Sequence, residues 1–254
     1  MNIGDKIIIQ KGDNNPYNAT ITAINHDGSL TVKVKYSDNE DEMRVYPPFI
    51  PSHDVIDVRD MSNEQKFELK TFNFYDELYC YEMLDGYKVT YYVRDDKFGV
   101  CLEDGSEHAY DPNSIYWQMA KGNDIETIIR SHGDNIAMQG VIVGENVKDN
   151  YYELTGNYLY IISLYDIDVS EFINQWDFYD FLFNNKLRGS SQIYNANQKG
   201  ESLNRQNGEN IFTIPTNLGA FVDETKSLLN PNLPVKGIFI GSNNQKMRCK
   251  YMRQ

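Results

Sequence analysis

The sequence predicts an α+β fold in which antiparallel sheets are flanked by helices. The 254 residues include 19 Tyr and 12 Phe, and aromatic rings pack well on pleated sheets. From residue 78 onward, strand patterns alternate with short helical patterns, whereas residues 1–45 hold strand and turn patterns alone. We therefore expect a small all-β module at residues 1–45 and a larger mixed domain at residues 46–254.

The N-terminal module is predicted to be a set of short strands joined by tight turns. Residues 25–28, Asn-His-Asp-Gly, are a strong hairpin signal because Asn, Asp and Gly tolerate positive φ. The strand order resembles a small SH3-like or Tudor-like barrel. The resemblance implies that residues 1–45 dock a protein partner, with Tyr17 and Tyr36 as candidate walls of an aromatic cage, and a plain packing module is the alternative. The strand patterns fall at 7–10, 19–24, 30–36 and 42–45.

The larger domain is predicted to alternate strands with three helices. A hairpin is expected around residues 94–97, and residues 184–210, rich in Asn, Gln, Ser and Gly, are predicted to form a mobile surface loop. The second helix is expected to carry Phe172, Trp176, Tyr179 and Phe183 on one face. The helices are predicted at 123–131, 171–183 and 216–229, and the strands at 88–93, 98–102, 138–143, 158–164, 235–240 and 247–252.

The charge of the chain restricts its partners. A formal net charge of −13 opposes nonspecific binding to RNA or DNA, so any nucleic-acid site must be a local basic patch. The last strand offers the best patch, and strand alternation puts all but one of its cations on one face. These residues are candidates for RNA or phosphate contact, or else charges of a solvated edge strand that block aggregation. They are Lys246, Arg248, Lys250 and Arg253.

Cysteine and histidine usage predicts neither a metal site nor a redox centre. The three cysteines are widely spaced without a C-x-x-C pair, and the four histidines lack ligand-like spacing. The N-terminus has no apolar signal region, and no apolar run approaches the roughly 20 residues of a membrane span. The sequence therefore predicts a cytoplasmic protein without a membrane partner.

Residues 82–86, Glu-Met-Leu-Asp-Gly, resemble the nucleotidyl-attachment motif Lys-x-Asp-Gly of ATP-dependent RNA ligases. Three further patches follow in the order that this family requires, at residues 98–101, 138–144 and 235–251. The resemblance covers about residues 46–254 and implies a ligase-type nucleotidyltransferase domain. In that family the motif lysine attacks the α-phosphate of ATP and carries AMP through a phosphoramidate bond.

The departures from the family pattern fall on its chemistry. Met83 stands at the lysine position, and a thioether is no useful nucleophile toward phosphorus. Val141 replaces a glutamate that contacts the nucleotide sugar. Lys236 replaces a glutamate that helps to place the metal, and a cation there repels Mg²⁺. Glu103 stands where an arginine is usual. The resemblance therefore implies no catalytic residue and no metal, and several changes together favour natural degeneration over an engineered Lys-to-Met substitution.

The groups that match the family imply a binding site for ATP or another adenine nucleotide. Lys250 matches a lysine that contacts the α-phosphate, and Glu82 lies where the family binds adenine. The candidate nucleotide-binding residues are Glu82, Asp85, Gly86, Phe98 and Lys250.

Three functions remain open on the sequence. The leading hypothesis is a pseudoenzyme that binds a nucleotide, an RNA end or a protein partner without transferring AMP. The chain ends at Gln254, just past the last motif, without the C-terminal domain usual in sealing ligases, which also argues against complete ligation. One alternative is an active ligase using Lys88, although strand alternation places Lys88 on the face opposite Met83. Another is a structural or interaction protein of phage origin, in the host cytoplasm or the virion, with a vestigial cleft.

Overall fold

The computed structural model divides the chain into two compact units, residues 1–49 and residues 50–254. For residues 203–206 and 209–212, and for most residues before 46, only the backbone is described. The residues described are 3–4, 6–9, 17–24, 30–36, 39–45, 55–67, 69, 78–190, 203–206, 209–212, 217–242 and 248–253.

The N-terminal unit contains a four-stranded antiparallel meander. Its strands, β1 (Lys6–Ile9), β2 (Tyr17–Ile24), β3 (Leu30–Tyr36) and β4 (Asn39–Val45), pair in chain order. The four predicted strands are confirmed. The predicted turn at 25–28 and the side chains of the two cage tyrosines lie outside the described residues. Pairing between β1 and β4 is not found among the described strands, so the SH3-like or Tudor-like barrel stays a prediction.

Within its described residues, the larger unit contains eleven strands and four helices whose two ends are both described. The strands are β5 (Ile56–Asp57), β6 (Leu78–Glu82), β7 (Tyr87–Arg94), β8 (Lys97–Cys101), β9 (Ile136–Gly144), β10 (Asn157–Asp166), β11 (Glu171–Phe172), β12 (Leu203–Gln206), β13 (Glu209–Phe212), β14 (Gly237–Ser242) and β15 (Arg248–Met252). The helices are α1 (Ile115–Gly122), α2 (Ile125–His132), α3 (Gln175–Asn184) and α4 (Leu218–Glu224).

Two sheets organise the larger unit. The central sheet is antiparallel and has the order β11-β10-β9-β7-β8. The second sheet has the order β5-β15-β14-β6 and is antiparallel apart from the short β5–β15 pairing. The β7–β8 hairpin was predicted correctly. Its two turn residues, Asp95 and Asp96, have φ of 50° and 61°, the positive values that a two-residue hairpin turn requires.

The helices pack mainly on one face of the central sheet. β9 lies in the middle of that sheet and is buried along its whole length. Met138 and Ile142 on β9 join an apolar core that includes Ile125 and Ile129 of α2. Because strand side chains alternate, Gln139 and Val141 point to the opposite face, toward the second sheet. The second sheet has its own core against α4, formed around Phe221 and Ile238.

Four sequence predictions need correction. Residues 171–172 form β11, so the second helix is shorter than expected, and it buries Phe178, Phe181 and Leu182. Two residues of the expected apolar face are instead exposed, Trp176 at 43% and Phe183 at 84%. Helix α1, capped by Ser114, was missed, and part of the predicted 184–210 loop forms the β12–β13 hairpin. The rest of that segment after residue 190 lies outside the described residues.

Within the described part of the chain, none of the helices is both long and apolar enough to cross a bilayer.

Candidate functional site

A small cavity lies between the central sheet and the second sheet, where β6 passes into β7. Its volume is about 50 Å³, room for a few water molecules, whereas ligand pockets usually measure hundreds of Å³. Its described lining residues are Val55, Tyr81, Glu82, Met83, Leu84, Lys88, Val141, Ile162, Phe178, Ser190, Phe239 and Arg248. The cavity thus brings together Met83 and Val141, two of the positions at which the sequence departs from the ligase pattern.

The turn that carries Met83 is fixed by backbone contacts on both sides. The Met83 amide donates to the Gly237 carbonyl at 3.0 Å, which ties the turn to β14. At Gly86 the backbone of β9 comes so close that an added Cβ would lie 2.2 Å from the Ile142 carbonyl oxygen. Only glycine fits there without displacing backbone, so the motif glycine has a structural reason in this chain.

The prediction that Lys88 faces away from Met83 is wrong. Residues 83–86 form a turn between two different sheets, so strand alternation cannot be counted across them. Lys88 is paired with Val141 in the β7–β9 register and lines the same cavity as Met83. Its side chain is 16% exposed, and its Nζ forms an ion pair with Glu103. An amine therefore lies beside the cavity, although not at the motif position.

Asp85 is surrounded by two lysines. Lys148 Nζ lies 2.9 Å from one carboxylate oxygen of Asp85, and Lys236 Nζ lies 3.6 Å from the other. Lys236 also sits over the Tyr151 ring, 4.0 Å from its centroid. Lys236 lies outside the described lining of the cavity. The sequence did not identify Lys148, because only the fold of the β9–β10 connection brings it to Asp85.

The β9–β10 connection is also hydrogen-bonded to the elements around the cavity. The Asp85 amide donates to the Tyr152 hydroxyl at 2.7 Å, and the Tyr151 hydroxyl donates to the Pro234 carbonyl at 2.7 Å. Asn230 Nδ2 donates to the Tyr152 carbonyl at 3.2 Å. The connection therefore joins the Met83 turn to the segment that leads into β14.

Arg248 is half-buried with its Nε shielded from solvent, contrary to the expectation that the cations of the last strand form a surface patch. Its guanidinium carbon lies 3.5 Å from the Phe172 ring centroid and 5.3 Å from that of Phe239. Nη2 donates to Gln139 Oε1 at 3.3 Å, while Nε has no hydrogen bond within the described residues. No carboxylate among those residues forms an ion pair with it. Burial lowers the pKa of Arg248 to about 9, so it remains a cation at neutral pH.

Glu82 adds a buried carboxyl group to the cavity wall. It is 2% exposed, and its Oε2 accepts a hydrogen bond from the Leu228 amide at 2.8 Å. Burial raises the pKa of Glu82, and the hydrogen bond from Leu228 opposes that rise. The Ser190 hydroxyl donates to the Glu82 backbone carbonyl at 3.1 Å.

The remaining predicted residues are dispersed. Lys250 pairs with Phe239 in the β14–β15 register and so lies on the same sheet face, but outside the described lining of the cavity. Phe98 packs in the core on the helix side, 5.8 Å from the Trp117 ring. Arg253 Nε bonds Asp223 at 3.2 Å, and Lys246 lies outside the described residues. In the described part of the chain, no three His, Cys, Asp or Glu residues converge as metal ligands would.

Comparison with known proteins finds similarity to solved structures alone. No family profile and no curated protein matches the chain. Naegleria gruberi RNA ligase with pyrophosphate aligns with a TM-score of 0.67 at 20% identity, over 82% of this chain and 57% of that one. A lysine-to-methionine variant of the same ligase with AMP and Mn aligns with a TM-score of 0.66 at 17% identity, over 96% of this chain and 88% of that one. An alanine variant of the same ligase with ATP and Mn aligns with a TM-score of 0.67 at 20% identity.

These similarities show that the chain has the RNA-ligase nucleotidyltransferase fold. The chain spans less than three-fifths of the first of these ligase chains, with 57% of that chain covered.

Proposed function

We propose that this chain is an RNA-ligase-like protein that binds the phosphates of an adenine nucleotide in the inter-sheet cavity without forming a covalent bond to AMP. The observation that carries the proposal is the half-buried Arg248 side chain, whose guanidinium lines the cavity, has a solvent-shielded Nε without a hydrogen bond and has no carboxylate partner among the described residues. A charge that is shielded from solvent without a counter-charge costs free energy. A bound phosphate would offset that cost, because a guanidinium fork matches phosphate oxygens.

Residue 83 cannot carry the transfer reaction. A phosphoramidate requires an amine whose lone pair attacks phosphorus, and the Met83 thioether has no such amine. In the N. gruberi ligase, a lysine-to-methionine variant has AMP and Mn bound, so nucleotide binding to that protein tolerates the same exchange at one position. We therefore assign the cavity a binding role.

The groups around Asp85 do not fit a divalent cation. Two ammonium groups already balance this carboxylate, Lys148 at 2.9 Å and Lys236 at 3.6 Å. Mg²⁺ requires oxygen ligands and is repelled by neighbouring cations. No step of the proposed function therefore depends on a metal at Asp85.

Nucleotide binding requires the cleft to widen. The cavity of about 50 Å³ is several times smaller than a usual ligand site. Phe178 and Phe239 line it, so movement of these rings or separation of the sheets must accompany binding. This cost lowers the affinity in proportion to the rarity of the open form.

The proposal is tested by thermal unfolding and calorimetry of the full chain with ATP, AMP and pyrophosphate. Ligand at 100 times its dissociation constant should stabilise the protein by about 2.7 kcal/mol. Arg248→Met should abolish the shift. Arg253→Met is the control: it removes an arginine that bonds Asp223 near the same end of the chain, and this variant should retain the nucleotide-induced shift. An equal shift in Arg248→Met, or no shift in the unmodified protein, would contradict the proposal.

Lys88 supports a second candidate, an active RNA ligase with a displaced nucleophile. The specific observation is that Lys88 lines the same cavity as Met83. In this reaction the neutral Lys88 amine would attack the α-phosphorus of ATP, forming a P–N bond as the bond to pyrophosphate breaks. Glu103, which is ion-paired with Lys88, is placed to take the proton. Because the paired ammonium has no free lone pair, this proton transfer must come first.

Incubation with α-labelled ATP and Mg²⁺ or Mn²⁺ separates the two candidates. The binding proposal expects no labelled protein after denaturation. Labelling that is lost in Lys88→Ala and kept in Lys148→Ala and Lys250→Ala would establish the displaced nucleophile instead.

The domain division and the partner remain part of the proposal. We assign residues 1–45 to an SH3-like or Tudor-like module that docks a protein partner, and residues 46–254 to the ligase-like domain, with an RNA end as an alternative ligand of the cleft. Absence of any thermal shift with nucleotides and oligonucleotides would favour an interaction protein with a vestigial cleft, as in a phage component.

A further inference from the structure

A second, larger cavity lies on the helix side of the central sheet, between β8 and helices α1 and α2. Its volume is about 340 Å³, which is the size of a small-ligand pocket. It shares no described lining residue with the inter-sheet cavity, so its role can be argued independently of the proposed function.

Three aromatic rings form the walls of this second cavity. Trp117 of α1 stands at the centre of the group. The Phe98 ring centroid lies 5.8 Å away at an interplanar angle of 76°, and the Tyr110 centroid lies 5.0 Å away at 74°. The three rings therefore line one cavity and meet one another edge to face, which is the arrangement that aromatic pairs prefer.

Tyr110 is exposed although the loop that carries it is anchored. Its side chain is 73% exposed. On one side of it, Trp117 Nε1 donates to the Ala109 carbonyl at 3.0 Å, and on the other the Ser114 amide donates to the Asp111 carbonyl at 3.0 Å. The backbone thus holds an aromatic ring at the mouth of the cavity, where core packing does not account for it.

The charged groups of the cavity favour a cation. Asp124 and Glu126 line it together with a single lysine, Lys121, so the lining has a net charge of −1. Asp124 Oδ1 accepts a hydrogen bond from Thr127 at 2.9 Å, and Glu126 pairs with Arg130 at 2.9 Å. The carboxylates also offset the partial positive charge at the start of α2. The net charge of −13 on the whole chain attracts cations and repels phosphates.

We propose that this cavity binds an organic cation, an ammonium or guanidinium group with alkyl substituents. The ring faces attract the cation through their quadrupoles, and the carboxylates balance its charge. The same chemistry is available from a free small molecule and from a basic side chain of a protein.

Tryptophan fluorescence of the full chain can test the proposal. The chain has two tryptophans, and Trp176→Phe leaves Trp117 as the sole reporter. Choline should give a saturable change, whereas its uncharged carbon isostere 3,3-dimethylbutan-1-ol should give none. Equal responses to the two compounds, or none to choline at millimolar concentration, would overturn the proposal.

Variants locate the binding site. Tyr110→Ala should weaken choline binding about tenfold, and Asp124→Asn should weaken it less. Phe183→Ala removes another exposed aromatic side chain, and Tyr36→Ala removes a candidate cage residue of the N-terminal module; both should bind choline as before. Unchanged binding in Tyr110→Ala would refute the site.

A trimethyl-lysine peptide distinguishes the two sources of the cation. Tighter binding of the peptide than of choline would identify a protein side chain as the natural ligand, and weaker binding of the peptide would identify a free small-molecule cation.

Discussion

The two faces of β9 are equally buried but hold different chemistry. On the helix side, Met138 and Ile142 are fully buried in an apolar core. On the cleft side, Gln139 is also fully buried, yet it accepts hydrogen bonds from Ser163 and from the Arg248 guanidinium. Apolar burial stabilises the fold, whereas burial of a charge costs free energy. The difference teaches that one strand separates a region that stabilises the fold from the region to which we assign nucleotide binding, where the free energy of unfolding is lowered.

The largest expected effect is on the helix side. Ile142→Ala should lower the free energy of unfolding by about 3 kcal/mol, because it leaves a cavity in a fully packed core. Urea denaturation measures this loss. The folded fraction should keep its response to ATP, since Ile142 does not line the inter-sheet cavity. A loss below about 1 kcal/mol would mean that this core is loosely packed.

The cleft side should respond with the opposite sign. Arg248→Met keeps much of the side-chain volume and removes a half-buried charge without an ion-pair partner among the described residues, so the free energy of unfolding should rise by about 1–2 kcal/mol. Urea denaturation without ligand measures this rise, alongside the loss of the nucleotide-induced shift. A strong destabilisation would show that the guanidinium supports the fold and would erase the contrast between the two faces.

Glu82 should make the stability of the cleft depend on pH. Burial raises the pKa of Glu82 above its usual 4.5, so the folded state binds the proton more tightly than the unfolded state. The stabilisation of the folded state that this tighter proton binding provides is fully present below pH 4.5, and it is lost as the pH rises through the folded-state pKa of Glu82. Glu82→Gln should therefore match the parent protein in acid and become relatively more stable as the pH rises. Parallel pH profiles of the two proteins would contradict this expectation.

The smallest effect is expected at the rim of the cleft. The Lys148 and Asp85 side chains are 43% and 22% exposed, and such partly solvated ion pairs contribute little. Lys148→Ala should lower the free energy of unfolding by less than about 1 kcal/mol, and added salt should reduce the difference further. A larger loss in urea denaturation would indicate that Lys148 holds the β9–β10 connection in place.

The sequence predicted local structure best where a single residue type decides the conformation. The Asp95-Asp96 turn and the strands on either side of it follow from period-two patterning and tolerance of positive φ. Helix α1 was missed because its aromatic residues have low helix propensity, although Ser114 and Gly122 at its ends were usable signals. The predicted buried face of α3 was wrong because Trp176 and Phe183 are apolar but point to solvent.

The candidate site was predictable in its motif and not in its electrostatics. The Met83–Gly86 turn and its departure from the ligase pattern are visible in the letters alone. The packing of the Arg248 guanidinium against Gln139 and Phe172 is not visible there, because it depends on the central sheet covering β15. The position of Lys88 was misjudged since a turn between two sheets breaks the alternation on which the judgement depended.

The hydrogen bond to the Tyr152 hydroxyl makes hydrogen exchange at the Asp85 amide a measure of cleft opening. It accepts the Asp85 amide proton at 2.7 Å and so shields that proton from solvent while the β9–β10 connection stays in place. The rate of deuterium uptake at this one amide, measured with and without ligand, should therefore report how often the β9–β10 connection separates from Asp85.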